Sequence, residues 1–363
     1  MNRPSMKRDH TPAVYGPSRR DLVKTLLAAG AGAAFPFGAS LAQVSSAQRP
    51  KAGPIDVHHH MTAPAYVKAM EKEMAASGFN MRPWTPAISL EAMDKHGVAT
   101  AMLSPIQRLV MDSMSDRSER ARNLVRLNND YGAQVVKDHP GRFGLFAALP
   151  LPDTEGSLRE IAYAFDTLKA DGIALWTSYL EKWPGDQAFA PVFEELNRRK
   201  AVVFFHPATA SCCRNLIQGL AISGMIEYDL DTARAAESLL VGGTPARCPD
   251  VRFILSHSGG ALPTLAARIV DDYPKNRATL LPNGVDYEIK KFYYEVAHAS
   301  KAPALDALKD MAPVSQILFG SDATIRNYEL TTEGLQRYNG FSPADWDAIY
   351  RGNAERLFPR LKM

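Results

Sequence analysis

The histidines of this 363-residue chain are concentrated at particular places. Of nine histidines, five stand at or directly after the ends of short apolar segments with strand-like composition: His58, His59, His60, His206 and His257. Asp322 has the equivalent place after the last such segment. Imidazole nitrogens and a carboxylate oxygen are suitable ligands for Zn²⁺ or Mn²⁺. The sequence therefore predicts a divalent metal site formed by His58, His60, His206 and Asp322.

The spacing of the first histidines indicates how they share this site. His58 and His60 lie two residues apart in a predicted strand, so their side chains leave the same face. Inside a barrel, two such imidazoles could bind one cation. His59 points the other way, and we expect it to pack or form hydrogen bonds against a helix.

The segments that carry these residues follow a repeating pattern from residue 53 onward. Short apolar segments alternate with longer amphipathic ones, as expected for parallel strands joined by helices. The predicted strands are 55–57, 100–103, 143–149, 173–176, 202–205, 253–255, 292–296 and 317–319, and helical patterns include 117–137, 158–170, 193–199, 262–272 and 305–311. Eight such units predict an α/β fold, a closed (β/α)8 TIM barrel with its active site at the carboxyl ends of the strands. The alternative is an open doubly wound sheet, but no glycine-rich phosphate-binding loop follows the first strand.

Other segments are placed around this barrel. Residues 61–86 are too long for a minimal loop, and we expect them to form a short lid insertion after the first strand. Residues after Asn327 are predicted to be terminal helices that close the barrel. The remaining candidate histidines, His96, His139 and His298, are interpreted mainly as surface or loop residues, although His298 could face the pocket.

The charge of the chain argues against a nucleic-acid-binding protein. The chain has 42 basic and 39 acidic residues, a net charge of +3. Residues 1–42 contain six basic and two acidic residues, a net +4, which leaves +3 − 4 = −1 for the remainder. A body so close to neutral lacks the broad basic surface that nucleic acids require.

The first 42 residues are predicted to be a twin-arginine signal peptide. The segment around the arginine pair of this chain is Ser18-Arg19-Arg20-Asp21-Leu22-Val23-Lys24. It resembles the twin-arginine export signal of bacteria. An apolar stretch, 26–37, and a small-residue cleavage site, 39–42, follow it. The apolar stretch is too short to span a bilayer stably, so the mature protein is expected to be periplasmic, with a linker at 43–52 and the barrel domain at 53–363. The alternative is a disordered extension with a chance arginine pair.

The cysteines give no sign of a structural role beyond packing. Cys212, Cys213 and Cys248 are too few and too badly spaced for a disulfide framework or a cysteine-rich zinc site. Cys212 and Cys213 are adjacent, which would strain a bridge between them. All three are therefore interpreted as packing residues.

Four motifs also carry a family resemblance. In chain order they are Ile55-Asp56-Val57-His58-His59-His60, Phe205-His206-Pro207, Ser256-His257-Ser258-Gly259-Gly260-Ala261-Leu262-Pro263 and Phe319-Gly320-Ser321-Asp322. Together they resemble the amidohydrolase-related branch of the amidohydrolase superfamily, which includes aminocarboxymuconate-semialdehyde, γ-resorcylate and methylsalicylate decarboxylases. The resemblance covers about residues 53–358, and segments 172–199 and 227–240 look most like the methylsalicylate decarboxylase group.

This resemblance implies roles for individual residues. It implies that His58, His60, His206 and Asp322 bind the metal ion and that His257 is the catalytic histidine. Arg268 matches an arginine that binds the substrate carboxylate, in some relatives at the neighbouring subunit's site, which implies a homodimer or larger assembly. The carboxylated lysine of binuclear members is absent at Trp176, so one divalent ion per chain is expected, Zn²⁺ first and Mn²⁺ as the alternative. Relatives often continue with Tyr-Pro after the aspartate, whereas Ala323 and Thr324 follow here.

The function expected from these observations is non-oxidative decarboxylation of a small hydroxylated aromatic or dienoic acid. The metal would orient the carboxylate, and Asp322 or His257 would supply the proton that the substrate carbon needs. Trp176 either packs on the substrate ring or belongs to the core. The runner-up is a metal-dependent hydrolase of a lactone, an ester or a carbon–carbon bond that uses the same residues. A secreted binding protein without catalysis is the third alternative, but no ligand is lost from the motifs.

Overall fold

A sheet of eight parallel strands forms the centre of the part of the chain that the structure describes. The computed structural model describes residues 53–77, 84–105, 119–213, 216 and 224–362. The strands pair in sequential order and are Ile55–Met61 (β1), Thr100–Pro105 (β2), Phe143–Ala148 (β3), Gly172–Trp176 (β4), Val202–His206 (β5), Arg252–Leu255 (β6), Tyr293–Glu295 (β7) and Ile317–Leu318 (β8). Each strand falls on one of the eight predicted segments.

Backbone hydrogen bonds between β1 and the chain after β8 close this sheet. Val57 N donates to Phe319 O at 3.0 Å, and Asp322 N donates to His58 O at 2.9 Å. A parallel bridge also pairs His59 with Ala323. The (β/α)8 barrel prediction is therefore confirmed, and the closure brings Asp322 beside the histidines of β1.

Helices follow the strands and pack on the outside of the barrel. They are Pro64–Ala69 (α1), Glu71–Ser77 (α2), Pro86–His96 (α3), Glu119–Asp138 (α4), Thr154–Asp166 (α5), Ala190–Arg198 (α6), Glu227–Val241 (α7), Thr244–Arg247 (α8), Leu262–Asp271 (α9), Val285–Lys291 (α10), Ala302–Met311 (α11), Tyr328–Arg337 (α12), Pro343–Asp347 (α13) and Asn353–Leu357 (α14). The five predicted helical patterns correspond to α4, α5, α6, α9 and α11, and α12 to α14 are the predicted terminal helices. None of the helices in the described part of the chain has the length and hydrophobicity needed to cross a membrane.

An irregularity in β1 turns His58 and His60 toward the interior. The pairing of β1 with β2 shifts register between Asp56 and His59. Val57 belongs to the apolar cluster that contains Phe204, and the next residue, His58, also contacts the Phe204 ring, with centroids 5.0 Å apart. Consecutive residues on a regular strand face opposite sides of the sheet. Because of the irregularity, both Val57 and His58 face the barrel interior, Val57 in the apolar cluster and His58 in the polar site.

The predicted insertion after β1 contains α1 and α2. Tyr66, Met70 and Met74 are buried there and form an apolar cluster with Ala121 and Leu124 of α4. Residues 78–83 lie outside the described residues, so the lid over the barrel mouth stays a prediction. The predicted signal peptide and linker, residues 1–52, also lie outside the described residues.

Candidate metal centre

Three histidines and one aspartate meet at the carboxyl ends of the strands, as the sequence predicts. We call His58, His60, His206 and Asp322 the four-ligand cluster; each offers one ligand atom, and these atoms lie within 4.8 Å of one another. The Nε2 atoms of His58 and His60 are 3.1 Å apart. Asp322 Oδ1 lies 3.1 Å from His58 Nε2 and 2.9 Å from His60 Nε2. Convergence of three nitrogens and one carboxylate oxygen is the ligand arrangement of a divalent metal site.

The opposite ring nitrogen of each histidine contacts a second group. His58 Nδ1 lies 2.8 Å from Glu295 Oε1, and His206 Nδ1 lies 3.0 Å from Pro207 O. His60 Nδ1 lies 3.3 Å from Ser104 Oγ. Such contacts fix the tautomer and orientation of metal-ligating imidazoles, so they aim the three Nε2 atoms at one point.

The electrostatics of the four-ligand cluster also fit a cation. Burial alone would lower the pKa of His58, but Glu295 and Asp322 raise it to about 10. Burial lowers the pKa of His60, and burial with the neighbouring imidazoles holds the pKa of His206 well below its usual range. Burial would raise the pKa of Asp322, yet the charge of His58 and the hydrogen bond from His298 hold it well below its usual range. A proton on His58 therefore compensates the two carboxylates, and a metal ion can replace it.

One buried atom supports the same conclusion. Asp322 Oδ1 lies close to two imidazole Nε2 atoms, but neither contact has the geometry of a hydrogen bond, and this oxygen has no other hydrogen-bond partner among the described residues. An unsatisfied buried carboxylate oxygen is costly. A divalent ion shared with the histidine nitrogens would satisfy it, so the residues present fit the expected metal.

His257 lies beside the four-ligand cluster, as predicted. Its ring stacks on His58 with centroids 5.3 Å apart, and its backbone N donates to Glu295 Oε1 at 2.7 Å. His257 Nε2 is buried and has no hydrogen-bond partner among the described residues. Burial and the nearby charges of His58 and His298 hold the pKa of His257 well below its usual range, so its imidazole is neutral at pH 7 and has a nitrogen free for a substrate.

His298 is an exposed residue of the loop after β7, as expected, and it also faces the site, which was the alternative that the sequence left open. Its Nε2 lies 2.6 Å from Asp322 Oδ2, and its ring centroid lies 4.5 Å from that of His257. His257, His298 and Asp322 all have left-handed backbone conformations, with φ of 54°, 58° and 60°. Such conformations are uncommon outside glycine and accumulate at functional sites. They aim these three side chains inward from turns after β6, β7 and β8.

Two acidic residues of the site were not predicted. Glu295 is fully buried in β7 and contacts both His58 and His257. The sequence feature that could have identified it is a charged residue inside an otherwise apolar strand segment. Asp56 Oδ1 accepts hydrogen bonds from His58 N and Ser321 N, each at 3.0 Å, and Tyr328 OH donates to Asp56 Oδ2 at 2.8 Å. Asp56 thus ties β1 to the segment that carries Asp322.

His59 points away from the cluster, as predicted. Its Nε2 lies 2.7 Å from Ser89 Oγ on α3, and its Nδ1 lies 3.0 Å from Tyr328 OH on α12. The prediction that His59 is bonded against a helix is confirmed, and its role is to join β1 to two outer helices.

The two predicted substrate-binding residues lie in different places. Trp176 packs edge-on against His206, with ring centroids 5.1 Å apart, and lines a small cavity together with His60, Ala148 and Ala174. Arg268 lies on α9 with its side chain 81% exposed, 3.5 Å from Asp272. The fold brings Trp176 to the candidate site, whereas Arg268 faces solvent and is not brought to the four-ligand cluster of its own chain.

Comparison with known proteins places this site in a family. The family model described as Amidohydrolase matches residues 55–360. The chain is 38% identical over 328 residues to decarboxylase macB of Penicillium terrestre, covering 85% of this chain and 96% of that protein. It is 34% identical over 323 residues to 6-methylsalicylic acid decarboxylase of Penicillium expansum, covering 85% of this chain and 97% of that protein.

A solved structure shows the same fold. Dihydroxybenzoic acid decarboxylase from Polaromonas sp. JS666, with bound manganese and the inhibitor 2-nitroresorcinol, superposes with a TM-score of 0.72 at 23% identity, covering 86% of this chain and 98% of that one. The sequence motifs, the closed barrel and the relatives agree. The chain therefore belongs to the amidohydrolase family, within the branch that contains these decarboxylases.

Proposed function

We propose that this protein is a metal-dependent decarboxylase of a small hydroxylated aromatic acid of the 6-methylsalicylate type. The observation that carries the proposal is the similarity to decarboxylases over nearly their whole length, at 34% identity and above for the 6-methylsalicylic acid enzyme and macB. The four-ligand cluster and His257 supply a site on which that reaction can run.

The residues that would hold the metal are His58, His60 and His206 through Nε2 and Asp322 through Oδ1. This donor set suits Zn²⁺, which we propose as the ion, with Mn²⁺ as the alternative. A divalent ion bound there would supply the positive charge that orients the substrate carboxylate and stabilises anionic charge. The absence of a lysine at Trp176 supports one ion per chain.

His257 is the residue that we propose as the proton donor. The ring carbon that bears the carboxylate must gain a proton before carbon dioxide leaves. Because burial lowers the pKa of His257 and leaves its imidazole neutral, Nε2 must first take a proton from water, and it then gives that proton up readily to the substrate carbon. Asp322, our other candidate, has its pKa held well below the usual range, so it stays ionised as a ligand. His257 therefore handles the proton, and Asp322 fixes the metal.

Binding of the substrate is assigned to the two remaining candidates. Trp176 lies next to His206 and the small side chains of Ala148 and Ala174, so its indole offers an apolar wall for an aromatic ring. Arg268 is exposed, and we propose that it binds the substrate carboxylate in a neighbouring subunit of a homodimer or larger assembly. Its exposure on α9 supports this placement, because an arginine that completes a partner's site must project from its own surface.

We also propose export to the periplasm by the twin-arginine pathway. The support comes from the sequence, with Arg19 and Arg20 before an apolar stretch and a small-residue cleavage site.

The function is tested by incubating the purified, metal-containing protein with separate candidate substrates. We expect 6-methylsalicylate, and more weakly 2,6-dihydroxybenzoate, to yield the corresponding phenols with release of carbon dioxide. Aryl esters and lactones are expected to remain intact. Hydrolysis of an ester or lactone without decarboxylation of either acid would contradict the proposal and support the hydrolase alternative.

A further inference from the structure

Cys212 and Cys213 carry thiols that the proposed decarboxylase site does not use. They lie in the one-turn 3-10 helix Ser211–Cys213, between β5 and α7. Cys212 is exposed and Cys213 partly exposed, whereas Cys248 is buried. The interpretation of all three as packing residues is therefore correct for Cys248 and wrong for Cys212.

The two thiols lie close together. Their Sγ atoms are 3.1 Å apart. Adjacent side chains of a strand would point to opposite faces, so the turn is what brings them together. Cys213 N donates to Ala210 O at 2.9 Å, and Ser211 Oγ donates to Leu180 O at 3.1 Å. These bonds anchor the turn and hold both sulfurs on one side of the loop.

A bond between these sulfurs would be of a special kind. Cα atoms of neighbouring residues are about 3.8 Å apart, which is shorter than the roughly 4.4–6.8 Å usual for a disulfide. A bridge between adjacent cysteines is therefore strained and easily reduced. Strained or exposed disulfides are the labile ones, so this pair suits reversible modification and not structural cross-linking.

We propose that Cys212 and Cys213 form a vicinal dithiol site that reacts with low-molecular-weight disulfides. In the first step the Cys212 thiolate attacks one sulfur of the reagent, forms a mixed disulfide and releases one thiolate. In the second step Cys213 loses its proton and attacks Cys212 Sγ, which releases the second thiolate and closes the vicinal disulfide. Two cysteine thiols are oxidised by two electrons, and one external disulfide is reduced to two thiols.

The surroundings set the order of attack. Cys212 is the more exposed thiol. The hydrogen bond with Cys212 and burial raise the pKa of Cys213 to about 11, so Cys213 is the poorer first nucleophile at neutral pH. Its sulfur nevertheless lies close enough to resolve a mixed disulfide on Cys212.

The probe is oxidised glutathione, applied to the full-length, metal-containing protein and followed by intact-protein mass spectrometry. We expect the wild-type chain to lose two hydrogen atoms, to retain no glutathione and to release two glutathione thiols. Dithiothreitol should restore the starting mass, and peptide mapping should place the bond between Cys212 and Cys213. Cys248→Ser is the matched control, because it keeps the pair and should react like the wild type.

Two single variants distinguish a dithiol site from two independent thiols. Cys213→Ser should retain one glutathione on Cys212, because no neighbouring thiol can displace it, and Cys212→Ser should react much more slowly. Phenylarsine oxide, which bridges two thiols without a sulfur–sulfur bond, should bind the wild type at one equivalent and bind either serine variant far more weakly. Glutathione retained on wild-type Cys212 as the final product, or equal phenylarsine oxide binding by wild type and serine variants, would overturn the proposal.

Discussion

Glu295 Oε1 lies 2.8 Å from His58 Nδ1, so a buried carboxylate on β7 orients an imidazole on β1 across the barrel. The same oxygen accepts the backbone N–H of His257 at 2.7 Å. One atom thus sets the direction of a proposed metal ligand and the place of the proposed proton donor.

The first prediction concerns this carboxylate. Glu295→Gln keeps the size of the side chain but removes the charge that favours a proton on His58 Nδ1 with Nε2 facing the metal. Loss of such a partner typically lowers metal affinity or activity about 10–100-fold, and we expect a decrease of this size. Metal affinity is measured by competition with a chelator. The control is Glu288→Gln, which changes a buried glutamate on α10 that pairs with Lys291 and does not contact the site. Unchanged affinity in Glu295→Gln would show that Glu295 only fills space.

The second prediction concerns His298. His298→Ala removes the hydrogen bond to Asp322 Oδ2 and should lower metal affinity by about 10-fold or more, because Asp322 is then free to turn. His298→Gln can place an amide N–H near the original Nε2 and should recover most of the loss. The same competition assay serves for both variants. Equal affinity of the alanine, glutamine and wild-type proteins would leave His298 without a positioning role.

The third prediction separates His257 from the metal ligands. His257→Ala should keep nearly the full metal content and fold, since four other groups form the cluster. Turnover should fall about 10²–10⁴-fold, the usual loss for a positioned acid or base, and the decrease should appear in kcat more than in KM. Steady-state kinetics with elemental analysis measures both. Loss of the metal would make His257 a ligand, and near-normal turnover would move proton transfer to another group.

The fourth prediction concerns export. Replacing Arg19 and Arg20 together by lysine should retain the protein in the cytoplasm without changing its specific activity. Cell fractionation followed by immunoblotting measures the distribution, with Lys7→Arg and Arg8→Lys, which lie ahead of the motif, as the control. Normal periplasmic accumulation of the double-lysine variant would contradict twin-arginine export.

The parts of the site that were predicted depend on local pattern. Strand segments are short apolar runs, and ligand-type residues directly after them converge wherever parallel strands end. This rule was sufficient to predict which residues form the candidate site, namely His58, His60, His206, His257 and Asp322.

The parts that were missed depend on contacts between distant segments. His298 reaches Asp322 because both have left-handed backbone conformations, which the residue types alone do not indicate. Asp56 accepts a hydrogen bond from Ser321, which is 265 residues away in the chain. Glu295 accepts one from His257, which is 38 residues away. The approach of Cys212 to Cys213 depends on a single turn anchored by Ser211, a detail finer than strand and helix patterns.

The most direct test of the central claim is the reaction of 6-methylsalicylate in deuterated water with the protein before and after metal removal. The metal-containing protein should release one carbon dioxide for each substrate consumed, and the product should carry deuterium at the ring carbon that had borne the carboxylate. Treatment with a chelator should abolish this reaction, and one equivalent of Zn²⁺ or Mn²⁺ per chain should restore it. Undiminished release of carbon dioxide from protein shown to be metal-free, or no carbon dioxide from the metal-containing protein, would contradict the account.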